Sequence, residues 1–131
     1  MKSILLLVTA CCTLIACEKQ RVESTDELTG KWMLTEQRAD PGDGSGQWHP
    51  VTINQVLTIE FKSDGSFESS DNNNIFNRYT LVGDTITLFH SLSNNVSMKL
   101  AVQELTTTTL AYYYGWPWCG GPTGSKYTRK N

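Results

Sequence analysis

Cys119 is the side chain here best suited to nucleophilic chemistry. It stands in Tyr-Tyr-Tyr-Gly-Trp-Pro-Trp-Cys-Gly-Gly-Pro-Thr-Gly, residues 112–124. A catalytic thiolate needs a base beside it, and the sequence sets no His, Asp or Glu next to this one. Between Trp118 and Gly120 it reads instead as a small, partly shielded apolar residue. His49 and His90 lie far apart, and neither has ligand-type spacing to Cys, Asp or Glu. The chain therefore reads as a non-enzyme, with no metal site and no cofactor. What remains is the chemistry of recognition. Tyr112, Tyr113, Tyr114, Trp116 and Trp118 crowd into one stretch, and Trp48-His49 form a second focus. Such side chains join large apolar area to a polar tip.

The first seventeen residues, MKSILLLVTACCTLIAC, set a short basic segment before an apolar run. That run is too short to span a bilayer, which takes about 20 apolar residues, and it reads as a secretory signal. Its end, Leu14-Ile15-Ala16-Cys17, resembles the lipobox of bacterial lipoproteins; the alternative is a plain signal peptide that happens to contain Cys. The resemblance implies cleavage after Ala16 and a diacylglyceryl thioether on Cys17. It implies a cell-envelope protein anchored in a membrane, with the outer membrane expected. Residues 1–16 are then a signal segment, 17–27 the lipidated Cys and a polar tether, and 28–131 one folded domain. Cys11 and Cys12 leave with the signal, so Cys119 is the one free thiol and no internal disulfide forms. Loss of Lys2 leaves ten basic against thirteen acidic residues. No basic stripe marks a nucleic-acid partner.

The domain reads as short strands. Leu57, Ile59 and Phe61 alternate with Thr58 and Glu60; Met98, Leu100 and Val102 alternate with Lys99, Ala101 and Gln103. Period two is the mark of a half-buried strand. Ser63-Asp64-Gly65 and Val82-Gly83-Asp84 carry hairpin-turn chemistry. No ten-residue window shows a helical stripe. Eight strands are expected, over 30–38, 54–62, 66–70, 77–82, 85–90, 96–104, 108–114 and 126–130. The fold class is all-β: a small eight-stranded up-and-down antiparallel barrel, closure removing both exposed edges. The alternative is an open sheet or two-sheet sandwich of the same strands.

Gly30-Lys31-Trp32 opens the first strand, followed by LTIEFKSDGSF, YTLVGDTITL and a terminal KYTRK. In this order the segments resemble the lipocalin-like lipoproteins of Bacteroidetes-type bacteria, over residues 28–131. The resemblance implies that Trp32 plugs one end of the barrel and that Arg129, on the last strand, lies across it, with Gly30 beside them. The chain departs from larger lipocalins in being short and in ending at Asn131 without a helix after the barrel.

Connections in such a barrel alternate between its ends. With Trp32 at the closed end, the loops 39–53, 71–76, 91–95 and 115–125 fall at the other, and the tight turns fall with Trp32. Trp48, His49, Trp116, Trp118 and Cys119 then belong to the open end. Tyr112 and Tyr114 point inward beneath it, and Tyr113 points out. Trp48, His49, Tyr112, Tyr114, Trp116 and Trp118 are the candidate ligand-binding residues, unless the aromatic rings fold inward as a plug. Two functions stay open. One is a lipid-anchored barrel binding a small apolar or amphipathic molecule. The other is an envelope module with a solid barrel whose loops grip a protein or glycan. Asp40 and Asp43 read as surface charges. Asp84-Thr85-Ile86 reads as a turn entering a strand rather than an O-glycosylation signal.

Overall fold

A computed structural model describes residues 25–41, 43–52, 56–115 and 123–131. The expectations for Cys17, Trp116, Trp118 and Cys119, and for the signal segment, lie outside these residues. Nine strands form one antiparallel sheet among the described residues: β1 (Gly30–Ala39), β2 (Gln47–Pro50), β3 (Thr58–Phe61), β4 (Phe67–Ser69), β5 (Arg78–Val82), β6 (Thr85–His90), β7 (Ser93–Leu105), β8 (Thr109–Tyr114) and β9 (Gly124–Arg129). One turn of helix, α1 (Thr25–Leu28), precedes them. The order β4-β3-β1-β9-β8-β7-β6-β5 makes eight staves, with β2 also on β1. The ends of this path meet where Ser66 bridges Arg78. There the Phe67 N–H donates to the Asn77 carbonyl at 2.9 Å and the Tyr79 N–H to the Gly65 carbonyl at 3.0 Å. The fold is the expected small up-and-down barrel, nearly closed, with its seam between β4 and β5.

Strand limits differ from expectation in one place that matters. The segment expected as a loop over 39–53 is a hairpin: β2 pairs with Glu36 to Ala39, and β3 pairs with Gly30 to Met33. One edge of β1 is thus shared between two short strands. The Val51 N–H donates to the Thr35 carbonyl and the Leu34 N–H to the Leu57 carbonyl, both at 2.9 Å, so the two pairings abut. The hairpin is tied by Asp40, which is buried rather than a surface charge (5% exposed). Its carboxylate accepts from the N–H groups of Gly44 and Gly46 at 3.2 and 3.1 Å and from Arg38 at 3.2 Å.

A bulge in β1 falls between Leu34 and Glu36, opposite Tyr127 and Lys126. A bulge adds one residue to one strand and so shifts its alternation. Trp32 and Leu34 face the interior and are buried. Strict alternation would have pointed Glu36 and Arg38 inward as well. Beyond Thr35 the interior face passes instead to Gln37, paired with Ser125, and the outer face to Glu36 and Arg38. A second bulge in β7, between Val102 and Glu104, keeps both Val102 and Leu105 buried.

The core is graded along the barrel axis. Near Trp32, the Phe61 ring packs against Phe67 and Tyr79 at centroid distances of 5.1 and 5.0 Å. Tyr79 is inside at no polar cost, since its hydroxyl donates to the Lys62 carbonyl at 2.8 Å. The other half is lined by Tyr112, Tyr114 and Tyr127, and there the packing leaves a cavity.

Candidate functional site

The two ends of the barrel are built differently. At one, Trp32 is fully buried and its indole N–H donates to the Leu28 carbonyl at 2.9 Å. α1 thereby lies over the ring and seals the end. Arg129 stands opposite Trp32 in the β9–β1 register, its guanidinium carbon 4.1 Å from the indole centroid. The guanidinium donates from Nε to the Thr107 carbonyl at 2.6 Å, from Nη1 to the Thr29 carbonyl at 2.7 Å, and from Nη2 to the Glu27 carbonyl. One side chain thus ties α1, the start of β1 and the β7–β8 turn together. Gly30 makes room for it. A Cβ there would stand 2.4 Å from Arg129 Nη1, and its φ of 136° is one that L side chains avoid. Gly30, Trp32 and Arg129 form a structural plug in which the Trp32 indole N–H and each of the three Arg129 guanidinium nitrogens donate a hydrogen bond.

At the other end the interior holds a cavity of about 240 Å³. One wall is apolar, from Leu57, Ile59, Phe67, Leu88 and Met98. The opposite wall is a cluster of hydroxyls on β8 and β9. The Tyr112 hydroxyl donates to that of Tyr127 at 3.0 Å, and the Tyr114 hydroxyl shares a 2.8 Å bond with Ser125 Oγ. Tyr112 stacks on Tyr127 at 5.6 Å and meets Tyr114 edge-on at 5.5 Å. Burial raises the Tyr112 and Tyr127 phenols well above their ordinary value; the neighbouring hydroxyls add to this at Tyr112, while the bonds from Tyr112 and Ser125 oppose it in part at Tyr127. Leu34 completes the inner lining, exposed Gln37 stands at its rim, and Ser69, Asp71, Asn73 and Asn74 stand toward the β4–β5 connection.

The predicted binding residues divide. Tyr112 and Tyr114 line the cavity. His49, opposite Gln37, lines an adjoining groove with Ala39, Tyr114 and Thr123. Trp48 does not face the cavity. It pairs with Arg38, which the β1 bulge has turned outward, so it joins a row on the outer wall running Trp48–Arg38–Gly124–Tyr113 across four strands. Its ring stacks on Tyr113 at 6.1 Å and carries the Lys126 ammonium at 5.0 Å, while the Arg38 guanidinium lies 5.3 Å from the Tyr113 centroid. The two rings approach over Gly124, where a Cβ would stand 2.7 Å from Tyr113 Cδ1 and 3.1 Å from Trp48 Cη2. Ser125, Tyr127 and Gln37 are cavity residues absent from the sequence-based set. Alternation from Arg129 leads to Tyr127 and Ser125; Gln37 is reached only through the bulge. Among the described residues no three His, Cys, Asp or Glu side chains gather as a metal site, and no helix is long and apolar enough to cross a membrane.

No protein-family model matches the chain, and no curated protein matches it. Among solved structures, it is similar to a lipocalin-like protein from Bacteroides uniformis ATCC 8492, at 19% identity and a TM-score of 0.43, over 79% of this chain and 99% of that one. The barrel described above rests on the strand pairing of this chain.

Proposed function

We propose that this is an envelope lipoprotein, anchored through a diacylglyceryl group on Cys17, whose barrel binds a small amphipathic molecule. One observation carries the binding reading. The barrel is sealed at the Trp32 end but holds a cavity of about 240 Å³ at the other, walled by hydroxyls on one side and hydrocarbon on the other. Ligand pockets commonly measure about 300–1,000 Å³, so this site suits a molecule at or below the small end of that class. The anchoring reading rests on Leu14-Ile15-Ala16-Cys17 after an apolar run. The chain enters the barrel through α1 at the sealed end, so a lipid on Cys17 leaves the cavity end directed away from the membrane.

The test uses the neutral probe N-phenyl-1-naphthylamine, whose emission rises in apolar surroundings. The purified protein should enhance it saturably. Met98→Trp, which fills the cavity from a partly exposed wall position, should abolish the enhancement without loss of fold. Unchanged emission with the wild-type chain counts against binding. For the anchor, Cys17→Ser should release the protein from the membrane fraction, and a variant that stays bound refutes it.

A second reading has its own support in the outer row of Trp48, Tyr113, Arg38 and Lys126. Flat rings edged by cations suit a glycan or an envelope protein. Trp48→Ala would weaken that contact and leave the probe bound in the cavity.

A further inference from the structure

Resting on the reading of the cavity as a ligand site, we propose that its ligand is a compact molecule without negative charge, bearing a hydroxyl or carboxamide at one edge, and that the cavity rejects carboxylates. The argument starts from charge. Among the described residues lining the cavity the one charged side chain is Asp71, and no Lys, Arg or His is present. The nearest basic residues stand in the adjoining groove and not in the cavity: His49, and Arg38, which is bound to Asp40 and the Gly46 carbonyl; Arg129 is at the opposite end on Trp32. A carboxylate inside would lose its water, gain no counter-ion and meet the field of Asp71. Burying an unpaired charge is among the most costly steps a site can require.

Hydrogen-bond capacity then selects the head group. Tyr112, Tyr114, Tyr127 and Ser125 have one proton and two lone pairs each. The Tyr112–Tyr127 and Tyr114–Ser125 bonds use two of those protons. The cluster as a whole has more acceptor than donor capacity, and its hydroxyls rotate. A group that donates and can also accept, such as an alcohol, a phenol or an amide, fits such a surface; an ionised carboxylate can only accept. Burial keeps Tyr112 and Tyr127 protonated, so neither phenol brings a charge to this wall. Across the cavity, Ile59, Phe67 and Leu88 present hydrocarbon, so the rest of the molecule is apolar. A long acyl chain exceeds this volume; a fused pair of rings matches it better.

Three probes of one ring system separate the terms: naphthalene, 2-naphthol and 2-naphthoate at neutral pH, titrated into the purified protein. We expect 2-naphthol to bind at least tenfold more tightly than either of the others. Tyr127→Phe and Ser125→Ala, each removing one hydroxyl with little change of shape, should bring 2-naphthol to within about threefold of naphthalene measured on the same variant. Thermal unfolding confirms that both variants are folded. If 2-naphthoate binds as tightly as 2-naphthol, the charge argument is overturned. If naphthalene and 2-naphthol bind equally, or the hydroxyl deletions change nothing, the hydroxyl assignment is overturned while the cavity remains a ligand site. If none of the three, nor N-phenyl-1-naphthylamine, binds the wild-type chain, the cavity reading falls and this inference falls with it.

Discussion

Arg129 does more at the sealed end than cover a ring. Its guanidinium bonds three backbone carbonyls, from Glu27, Thr29 and Thr107, while lying on Trp32. Hydrogen bonds from charged donors contribute about 1.5–3 kcal/mol, and a cation on an indole about 0.5–2 kcal/mol. Part of this is offset by water reaching the freed carbonyls. Arg129→Ala should therefore destabilise the chain by about 2–3 kcal/mol in urea unfolding, and Arg129→Lys should recover little, because an ammonium lacks the planar fork. A loss under about 0.5 kcal/mol would show that the stack is ornamental. The tyrosine cluster gives a pH signature. Burial holds Tyr112 and Tyr127 protonated in the folded chain above pH 10, where tyrosines of the unfolded chain ionise. There the folded state binds more protons than the unfolded one, so stability falls as pH rises. The contribution is complete below about pH 10 and is lost as pH climbs toward the folded-state values. Tyr127→Phe should make the decline above pH 10 shallower, and an equal slope in variant and parent would contradict the burial argument.

The β1–β2 hairpin is where local chemistry decides the outer wall. Asp40 gathers two loop N–H groups and Arg38, and the bulge at Thr35 has already turned Arg38 outward. Register then places Trp48 beside Arg38 and over Gly124. Removing the carboxylate leaves Arg38 half-buried with its main anion gone and two loop donors to be re-satisfied. Asp40→Ala should cost about 2–4 kcal/mol, and the red edge of the Trp emission should move as Trp48 becomes more exposed. Asp40→Asn should retain part of the loop and less of the Arg38 contact. If Asp40→Ala leaves both stability and emission unchanged, the hairpin is held by something other than this carboxylate.

At the scale of the whole barrel, strength is uneven around the circumference. β1, β9, β8, β7 and β6 pair along most of their lengths. The β4–β5 junction has one bridge and two flanking backbone bonds, and β4 is three residues long. Opening a seam with few bonds requires less free energy than opening a continuous ladder. Native-state hydrogen exchange should find the Phe67 and Tyr79 amides, which close the seam, exchanging faster than those of Leu110 and Tyr127 by at least about tenfold, the ratio for about 1.4 kcal/mol. Uniform protection would mean that the barrel opens only as a unit.

Alternation and turn chemistry are local, and they carried most of the strand inventory. Leu57–Phe61 and Met98–Val102 read as strands because period two depends on neighbouring residues alone, and Tyr112 and Tyr114 could be placed inward from Leu110 for the same reason. The position of Arg129 over Trp32 was legible only through the family resemblance, which the adjacency of first and last strands in a closed barrel made feasible. The bulges were not legible. A strand with an extra residue has the same composition as one without, and its alternation changes only where a partner strand fails to pair. Gln37 was missed for that reason, and Trp48 was expected at the mouth when it lies on the outer wall. The buried state of Asp40 depends on the loop folding back to offer it N–H groups, and the cavity depends on how far facing side chains from different strands reach across the interior. Those are properties of register and packing between residues distant in sequence, so only the assembled barrel decided them.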